Sequence, residues 1–485
     1  MDMYSEGVSQ KLRTYFGSML VFKGGPSAKM FSGMSIPSYM RDWLLMRFAS
    51  DDGSINIDEV EAYIRRSIPR REHWSLLKEQ MINERRSVTI LSKVRSDIDV
   101  REGYAFFQLP DLGFPSRKTE AVIDRHVLDE HKENLLASSE AWGVVEMEWR
   151  PYDVRGKDGA GTIYMTGFKP FRPYQVDADY YRTARREFTT EEWIDILLAG
   201  IDYNPSGFLD TAQKLTLLAR LLPFIESRVN LIELAPKSTG KSYMYSKLSK
   251  YGWLVSGGSV TRARLFYDVG RKETGLIGRY DYVALDEIQT VVFPAAEEVQ
   301  GALKGYLESG EYRVGDHRGV GQSGFILLGN IRGEIMDEDC NMFSELPLAF
   351  QESALLDRFH GFIRGWDLPR IREDMKVSGW ALNVEYLTEM FHSLRQDLSY
   401  PQTVAQLLYV PGGADGRDTE AVRRISTAYL KLLFPHAISA SDISRDDFRR
   451  FCFEPAFRMR STIRKQLHIM DREYSEHMPQ IRVLD

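Results

Sequence analysis

The stretch Ala235 to Ser242, APKSTGKS, combines residue types and a spacing suited to holding a chain of phosphates. It follows a short β-type run, Arg228 to Leu234 (RVNLIEL), and leads at once into a helical pattern. Phosphate binding of this kind needs backbone amides curled around a β-phosphate, an ammonium that reaches the β and γ oxygens, and a hydroxyl for Mg2+. Pro236, Lys237, Ser238 and Thr239 form the turn, and Gly240, Lys241 and Ser242 meet the three needs in order. Ala235 replaces the glycine usual at the first position of such a loop, which tightens the turn and leaves the amides available. ATP and Mg2+ are therefore the expected cofactors.

Further residues of the right chemistry follow downstream. Tyr282 to Leu285 (YVAL) reads as a buried strand ending in Asp286 and Glu287. There Asp286 would join Ser242 in holding the metal, through water, and Glu287 would orient and deprotonate the attacking water. An acidic pair after a strand is equally what a helix N-cap looks like. Phe325 to Leu328 (FILL) is another apolar strand and ends in Gly329 and Asn330, whose amide can fix the same water from the other side. In ALLDRF, residues 354–359, Arg358 supplies the planar, permanently charged fork that a developing γ-phosphate charge demands, acting on a neighbouring subunit's site. Gly416, Arg417 and Asp418 precede a helix at Ala421, so Arg417 is either a second nucleotide sensor or a solvated arginine in a Gly-rich loop.

These residues must be carried by elements legible in the pattern. Residues 1–86 read as a helical region, with apolar residues three and four apart in Ile55 to Arg66 and Trp74 to Arg86. Residues 87–188 form a β-rich module and connector. Val94 to Val100 pairs with Tyr104 to Leu109, and Trp142 to Trp149 pairs with Thr162 to Phe168 across a tip at 155–161, which suggests a small barrel or sandwich. The segment 169–187, rich in proline and tyrosine, reads as connector. Thr189 with Glu192 is a capping box that opens a helix, and strands and helices then alternate through 189–369 as in a parallel α/β sheet. Residues 370–485 read as mainly helical. The fold class expected is α/β, a P-loop ATPase core with a helical lid, preceded by an α+β N-terminal domain containing a small β-barrel-like module.

The chain has 485 residues, about three domains by length, and a formal net charge of −6. A mildly acidic chain is not coated in positive charge, so any nucleic-acid contact must come from local basic patches. Two cysteines, Cys340 and Cys452, cannot form a disulfide framework or a four-ligand zinc site. The N-terminus lacks a secretory pattern, and no apolar run approaches the roughly 18 residues needed to span a bilayer. A cytoplasmic protein without a membrane partner is expected.

The ordered set of loop, acidic pair, polar strand end and arginine resembles the AAA+ ATPases from about Thr189 onward. Within it, ALKGYLESGEYRVGDHRG, residues 302–319, looks like a helix followed by the hairpin that MCM-type helicases and Lon-type proteases place before the sensor strand, here the one ending in Asn330. In a ring that hairpin points into the pore, where Arg313, His317 and Arg318 would meet whatever is threaded. An exposed basic turn has the same sequence pattern.

Several segments are more specific still. NLIELAPKSTGKSY, GWLVSGGSVT, RYDYVALDEIQT, LKGYLESGEYRVGD, GFILLGNI, TGFKPFRPY and FTTEEWIDILL resemble the BrxL family, the Lon-related ATPases of BREX phage-defence systems. The resemblance implies an ATP-driven homo-oligomeric ring, expected to be a hexamer, with stacking of two rings left open. It implies a ring related to MCM helicases that binds and moves along double-stranded DNA and works with other BREX components. Long family members continue into a Lon-protease-like domain, whereas this sequence stops at IRVLD. A short form without peptidase activity is the expectation.

Two other readings remain open at this level. DNA contacts would come from Arg313, His317 and Arg318, from Arg155 and Lys157 on the 155–161 tip, and from the pairs Arg65/Arg66 and Arg85/Arg86, all of which also suit a solvated surface. A ring that threads polypeptide would instead need a gripping aromatic loop, which Phe266 to Gly270 (FYDVG) somewhat resembles. A nucleotide-gated scaffold could dispense with either Glu287 or Arg358, and both are present.

Overall fold

The computed structural model describes residues 3–24, 36–48, 55–100, 103–136, 141–151, 160–171, 175–270 and 272–484. The chain divides into two compact units. One comprises residues 1–47 and 176–485, and the other residues 48–175. The division thus cuts through the helical N-terminal region read from the sequence and assigns its first half to the unit that holds the phosphate loop.

The chain begins with helix α1 (Glu6–Phe16), whose N-cap Ser5 accepts from the Val8 amide, then strand β1 (Leu20–Lys23) and helix α2 (Ser38–Phe48). In the 48–175 unit, α3 (Ile57–Ser67) and α4 (Trp74–Ile82) precede five strands. These are β2 (Val88–Asp99), β3 (Tyr104–Gln108), β4 (Ala121–Ile123), β5 (Ala141–Pro151) and β6 (Gly161–Pro170), with helix α5 (Arg125–Leu136) between β4 and β5. They close into a barrel in the order β2-β3-β4-β6-β5. Only the β4–β6 pair is parallel. Alternation along the strands turns Ile90, Phe107, Val145, Met147 and Met165 into the barrel interior, all buried.

The connector expected at 169–187 contains a helix, α6 (Ala178–Arg185), capped by Asp177. Its buried Tyr181 sits edge-on to Trp193, and that aromatic contact is why a tyrosine-rich stretch folds here. Helix α7 (Thr190–Gly200) starts on the capping box, with both reciprocal bonds formed between Thr189 and Glu192.

Five parallel strands form the central sheet: β7 (Leu231–Ala235), β8 (Gly252–Ser259), β9 (Tyr282–Val292), β12 (Gly324–Asn330) and β13 (Gly361–Arg364). Their spatial order is β13-β7-β12-β9-β8, with Ile326 beside Leu231 and Gly361 beside Leu231 on the other edge. The strand order therefore reverses at β7, the position where open α/β sheets bind ligands beyond the carboxyl ends of their strands. Unbroken apolar runs suit strands covered on both faces, and LIELA in β7 is buried throughout. Helix α8 (Lys241–Lys247) follows β7. Helix α9 (Ala296–Ser309) leads into an antiparallel hairpin of β10 (Glu311–Val314) and β11 (His317–Val320), inserted before β12 as the helix-then-hairpin reading of 302–319 expects.

The C-terminal part is mainly helical, with α10 (Val384–Leu394), α11 (Gly416–Leu433) and α12 (Glu454–Met470). It also holds strand β14 (Gly379–Leu382), which pairs antiparallel with β1 and ties the N-terminus to this unit. Among the described residues no helix is long and apolar enough to cross a membrane.

Candidate functional site: a phosphate cradle and a distant arginine cluster

The 235–242 loop leaves the carboxyl end of β7, and its shape depends on two left-handed residues, Ser238 (φ 68°) and Gly240 (φ 80°). Alternating hands turn successive amides toward one concavity, an anion-binding arrangement. Glycine is required at 240 twice over, since a Cβ there would lie 2.5 Å from the Tyr203 hydroxyl. Ala235 is accommodated because its neighbour is Gly365, where a Cβ would come within 2.1 Å of the alanine methyl. Pro236 and Lys237 lie in the same turn, and the Ile371 amide donates to the Ser238 carbonyl at 2.9 Å, closing the loop from outside.

Beneath the loop lies an ion pair missed by sequence reading. Glu233, in the middle of β7, accepts from Arg220 Nη2 at 2.6 Å and Nε at 3.0 Å, with both side chains fully buried. Arg220 Nη1 also donates to the Thr239 carbonyl at 2.8 Å, so the pair holds the loop from inside the core. Burial alone would depress the Arg220 pKa, but the Glu233 carboxylate overrides it and raises the value. A glutamate inside an otherwise apolar strand was the available signal, since a buried charge requires a partner.

Lys241 Nζ reaches the carbonyls of Ala235 at 3.2 Å and Pro236 at 3.4 Å, and Asn330 Oδ1 at 3.4 Å. Its pKa is lowered, chiefly by burial, so an incoming anion would supply the charge partner that the pocket withholds. Ser242 Oγ donates to Asp286 Oδ2 at 2.5 Å. Among the described residues no group of three or more His, Cys, Asp or Glu side chains is placed to hold a metal. A hydroxyl and one carboxylate suit Mg2+, which keeps several waters and takes its other ligands from phosphate oxygens.

Glu287 follows Asp286 at a break in the β9–β8 register and has a left-handed backbone, φ 48°. That conformation is uncommon for a non-glycine residue and costs energy that the surrounding sheet must sustain. The turn is held by the Glu287 amide on Asp286 Oδ1 at 2.8 Å and by Thr290 Oγ1 on the Glu287 carbonyl at 2.9 Å. The acidic pair therefore ends no helix cap. It turns Glu287 outward to solvent while Asp286 stays buried. Asn330 is fixed by Gln289, which donates to the Asn330 carbonyl at 2.7 Å and accepts from its amide at 3.3 Å. Gln289 also escaped sequence reading, because nothing local marks which polar residue faces the next strand.

Arg358 and Arg417 are not near this cradle. Arg358 precedes β13, and His360 beside it exchanges bonds with Asn230 at the start of β7, so both arginines belong to the amino end of the sheet. The five-residue strand β7 puts about 15 Å between the two ends. Arg417 lies inside α11 and not in a Gly-rich loop before it, because Asp415 caps the helix by accepting from the Arg417 and Asp418 amides. Its guanidinium is held by Asp357 at 2.7 Å and Glu308 at 3.0 Å, which rules out the freely solvated reading. These residues line a cleft of about 330 Å3.

On the hairpin, Arg313 and Arg318 face each other directly across the two strands, both exposed, and among the described residues neither forms an ion pair. His317 stacks on Tyr267 with ring centroids 3.6 Å apart and planes 5° from parallel. In FYDVG, therefore, Phe266 is core, Tyr267 is covered by the histidine, and only Val269 projects. Arg155 and Lys157 lie outside the described residues. Arg65 pairs with Glu61 and Arg86 with Glu84, while Arg85 lies 4.1 Å over the Trp149 ring.

A family model described as "Lon-like protease BrxL-like, ATPase domain" matches residues 163–480, and one described as "BREX system Lon protease-like protein BrxL N-terminal" matches residues 14–149. A "Lon-like protease BrxL" of Escherichia coli O9:H4 (strain HS) is 29% identical over 475 residues, covering 96% of this chain and 66% of that protein. A protein of the same name from Bacillus cereus (strain H3081.97) is 28% identical over 438 residues, 89% of this chain and 63% of that protein. The chain thus spans about two thirds of the length of these relatives. Because the ATPase-domain match contains the whole cradle from Ala235 to Asn330 and most of the chain is matched besides, the chain belongs to the BrxL family of Lon-like, ATPase-domain proteins.

Proposed function

We propose that the chain is a subunit of an AAA+ ring, related to MCM helicases, that hydrolyses ATP and moves along double-stranded DNA as a BREX defence component. One observation carries the reading. The cradle of Lys241, Ser242, Asp286, Glu287 and Asn330 and the cluster of Arg358 and Arg417 sit at opposite ends of one sheet. A single copy cannot bring them to the same γ-phosphate. A second copy that presents its arginine end to the first copy's cradle can, and repetition of that head-to-tail contact closes a ring.

ATP bound in the cradle would lay its phosphates on the amides of 237–242 and on Lys241, with Mg2+ on Ser242 and, through water, on Asp286. Glu287 would take the proton of the attacking water, and Asn330, held by Gln289, would orient it. Tyr203 and Ile371 flank the loop and are suited to the base side of the nucleotide. Arg358 would enter from the neighbouring subunit.

DNA as the polymer is supported by the hairpin. Two arginines directly opposite on a two-stranded ribbon repel each other, a cost that phosphate contacts would reverse. The barrel adds to this. A closed five-stranded barrel with a helix between its third and fourth strands has the build of barrels that bind oligonucleotides through the loops joining strands 1–2 and 4–5. Arg155 and Lys157 fall in sequence between the fourth and fifth strands. Polypeptide threading is less well supported, since the aromatic it requires, Tyr267, is stacked on His317.

The test is ATP turnover by the assembled protein with and without duplex DNA. Stimulation by DNA, reduced in Arg313→Ala/Arg318→Ala, is the expected result. Turnover indifferent to DNA but stimulated by an unfolded polypeptide would favour the threading reading.

A further inference from the structure

Resting on the trans-acting role of Arg358 proposed above, we propose that Glu308 is a positioning residue that couples the 311–320 hairpin to the two arginines. A single oxygen of Glu308, Oε2, lies 2.9 Å from Arg358 Nε, 3.0 Å from Arg417 Nη2 and 3.2 Å from Arg417 Nε. The carboxylate therefore neutralises the same guanidinium that must meet a neighbour's phosphate.

Glu308 stands in the last turn of α9, and the hairpin begins three residues later. Gly310, left-handed at φ 82°, ends the helix with its amide on the Tyr306 carbonyl. Its own carbonyl accepts the Gly321 amide at 2.9 Å, which closes the base of the hairpin onto the residue that ends α9. No flexible segment lies between Glu308 and Arg313 to absorb a displacement. A load on the hairpin is passed to the turn that carries Glu308.

The two arginines are held unequally. Arg417 keeps a second carboxylate, Asp357 at 2.7 Å, and Asp357 is in turn anchored by the fully buried Arg460 at 2.6 Å. Arg358 has no second carboxylate among the described residues. Its remaining bond is from Nη1 to the carbonyl of Ala354, one turn back in its own segment. Withdrawal of Glu308 thus leaves Arg417 oriented and releases Arg358. Glu308 is 47% exposed against 17% for Arg358, so water can take up the carboxylate as it leaves, and a small displacement suffices for the exchange. Phosphate oxygens then compete well for the freed fork, which is built for bidentate anion contacts.

Hairpin engagement pulls Glu308 off Arg358 and so switches on hydrolysis in the adjoining site. The experiment is Glu308→Gln, which keeps the size and removes the charge, assayed as the assembled ring with and without duplex DNA. Turnover without DNA should rise about 2- to 5-fold, the range that loss of one half-exposed ion pair allows. The ratio of DNA-stimulated to basal turnover should fall toward one, with an unchanged melting midpoint, and Glu308→Asp should retain part of the ratio. A purely structural role would instead lower the melting midpoint and both rates together, and that result would overturn the coupling. Arg358→Ala separates the two claims. If it turns over ATP at the wild-type rate, the trans-acting arginine and the coupling both fall. If it is inactive while Glu308→Gln keeps the wild-type ratio, the coupling alone falls.

Discussion

Ser242 Oγ donates to Asp286 Oδ2 at 2.5 Å, joining the first turn after β7 and its phosphate loop to β9, a strand that is not a sheet neighbour of β7. Strand β12 lies between β7 and β9, so the contact spans the mouth of the sheet at the point where a cation would bind. The hydroxyl and carboxylate are thereby aligned in advance, which lowers the ordering cost of taking up a nucleotide–metal complex.

Glu287→Gln should reduce ATP turnover by about 10^2- to 10^4-fold, the usual contribution of a general base, while nucleotide binding is retained. Steady-state phosphate release and binding of a fluorescent ATP analogue measure the two separately. Undiminished turnover would remove Glu287 from the reaction.

Arg358→Ala and Glu287→Gln should each be inactive alone and partly active when mixed before assembly. In a mixed ring an Arg358→Ala subunit still has its own Glu287 and can receive Arg358 from a Glu287→Gln neighbour. Mixtures that stay inactive at every ratio would contradict a site shared between subunits.

Arg220→Met leaves Glu233 charged, buried and unpaired beneath the phosphate loop. Loss of about 3–5 kcal/mol is expected in chemical denaturation, the cost typical of breaking a buried ion pair from one side. The double variant Arg220→Met/Glu233→Leu should recover most of the stability but not nucleotide affinity, because the bond to the Thr239 carbonyl is gone.

DNA affinity should fall steeply with salt. For each engaged hairpin, Arg313→Ala/Arg318→Ala should reduce the slope of log K against log salt by about 2, since each lost phosphate contact contributes about 0.9. A slope unaltered in the double variant would place the DNA contacts elsewhere.

Acid should destabilise the fold through two histidines. Burial, with Arg185 and Arg186 nearby, pulls His436 down from 6.5 to about 4, and burial among Arg424, Arg460 and Arg228 lowers His360 well below 6.5. Each binds a proton in the unfolded chain before it does in the folded one, so stability is full above 6.5 and declines as pH falls from 6.5 toward the folded values. His436→Gln should lose less of its melting midpoint between pH 7 and pH 5 than wild type does.

Much of this was legible because it is local. RVNLIELAPKSTGKSY specifies strand, turn and helix within one stretch, the Thr189–Glu192 capping box closes over three residues, and period-two alternation announces the barrel strands. Local signals misled where tertiary partners decide. The tyrosine-rich stretch 169–187 reads as a connector, yet Tyr181 packs against Trp193, and Arg417 reads as preceding its helix, yet its guanidinium is held by Asp357 and Glu308 from distant parts of the chain. The sequence alone determined which groups are present to bind phosphate, metal, water and polyanion. Only the tertiary structure decided where they meet, because strand order is set by long-range edge pairing that no local pattern encodes. That order puts Lys241 and Arg358 at opposite ends of one sheet, and it brings Glu308, 50 residues away in sequence from Arg358, against the arginine it holds.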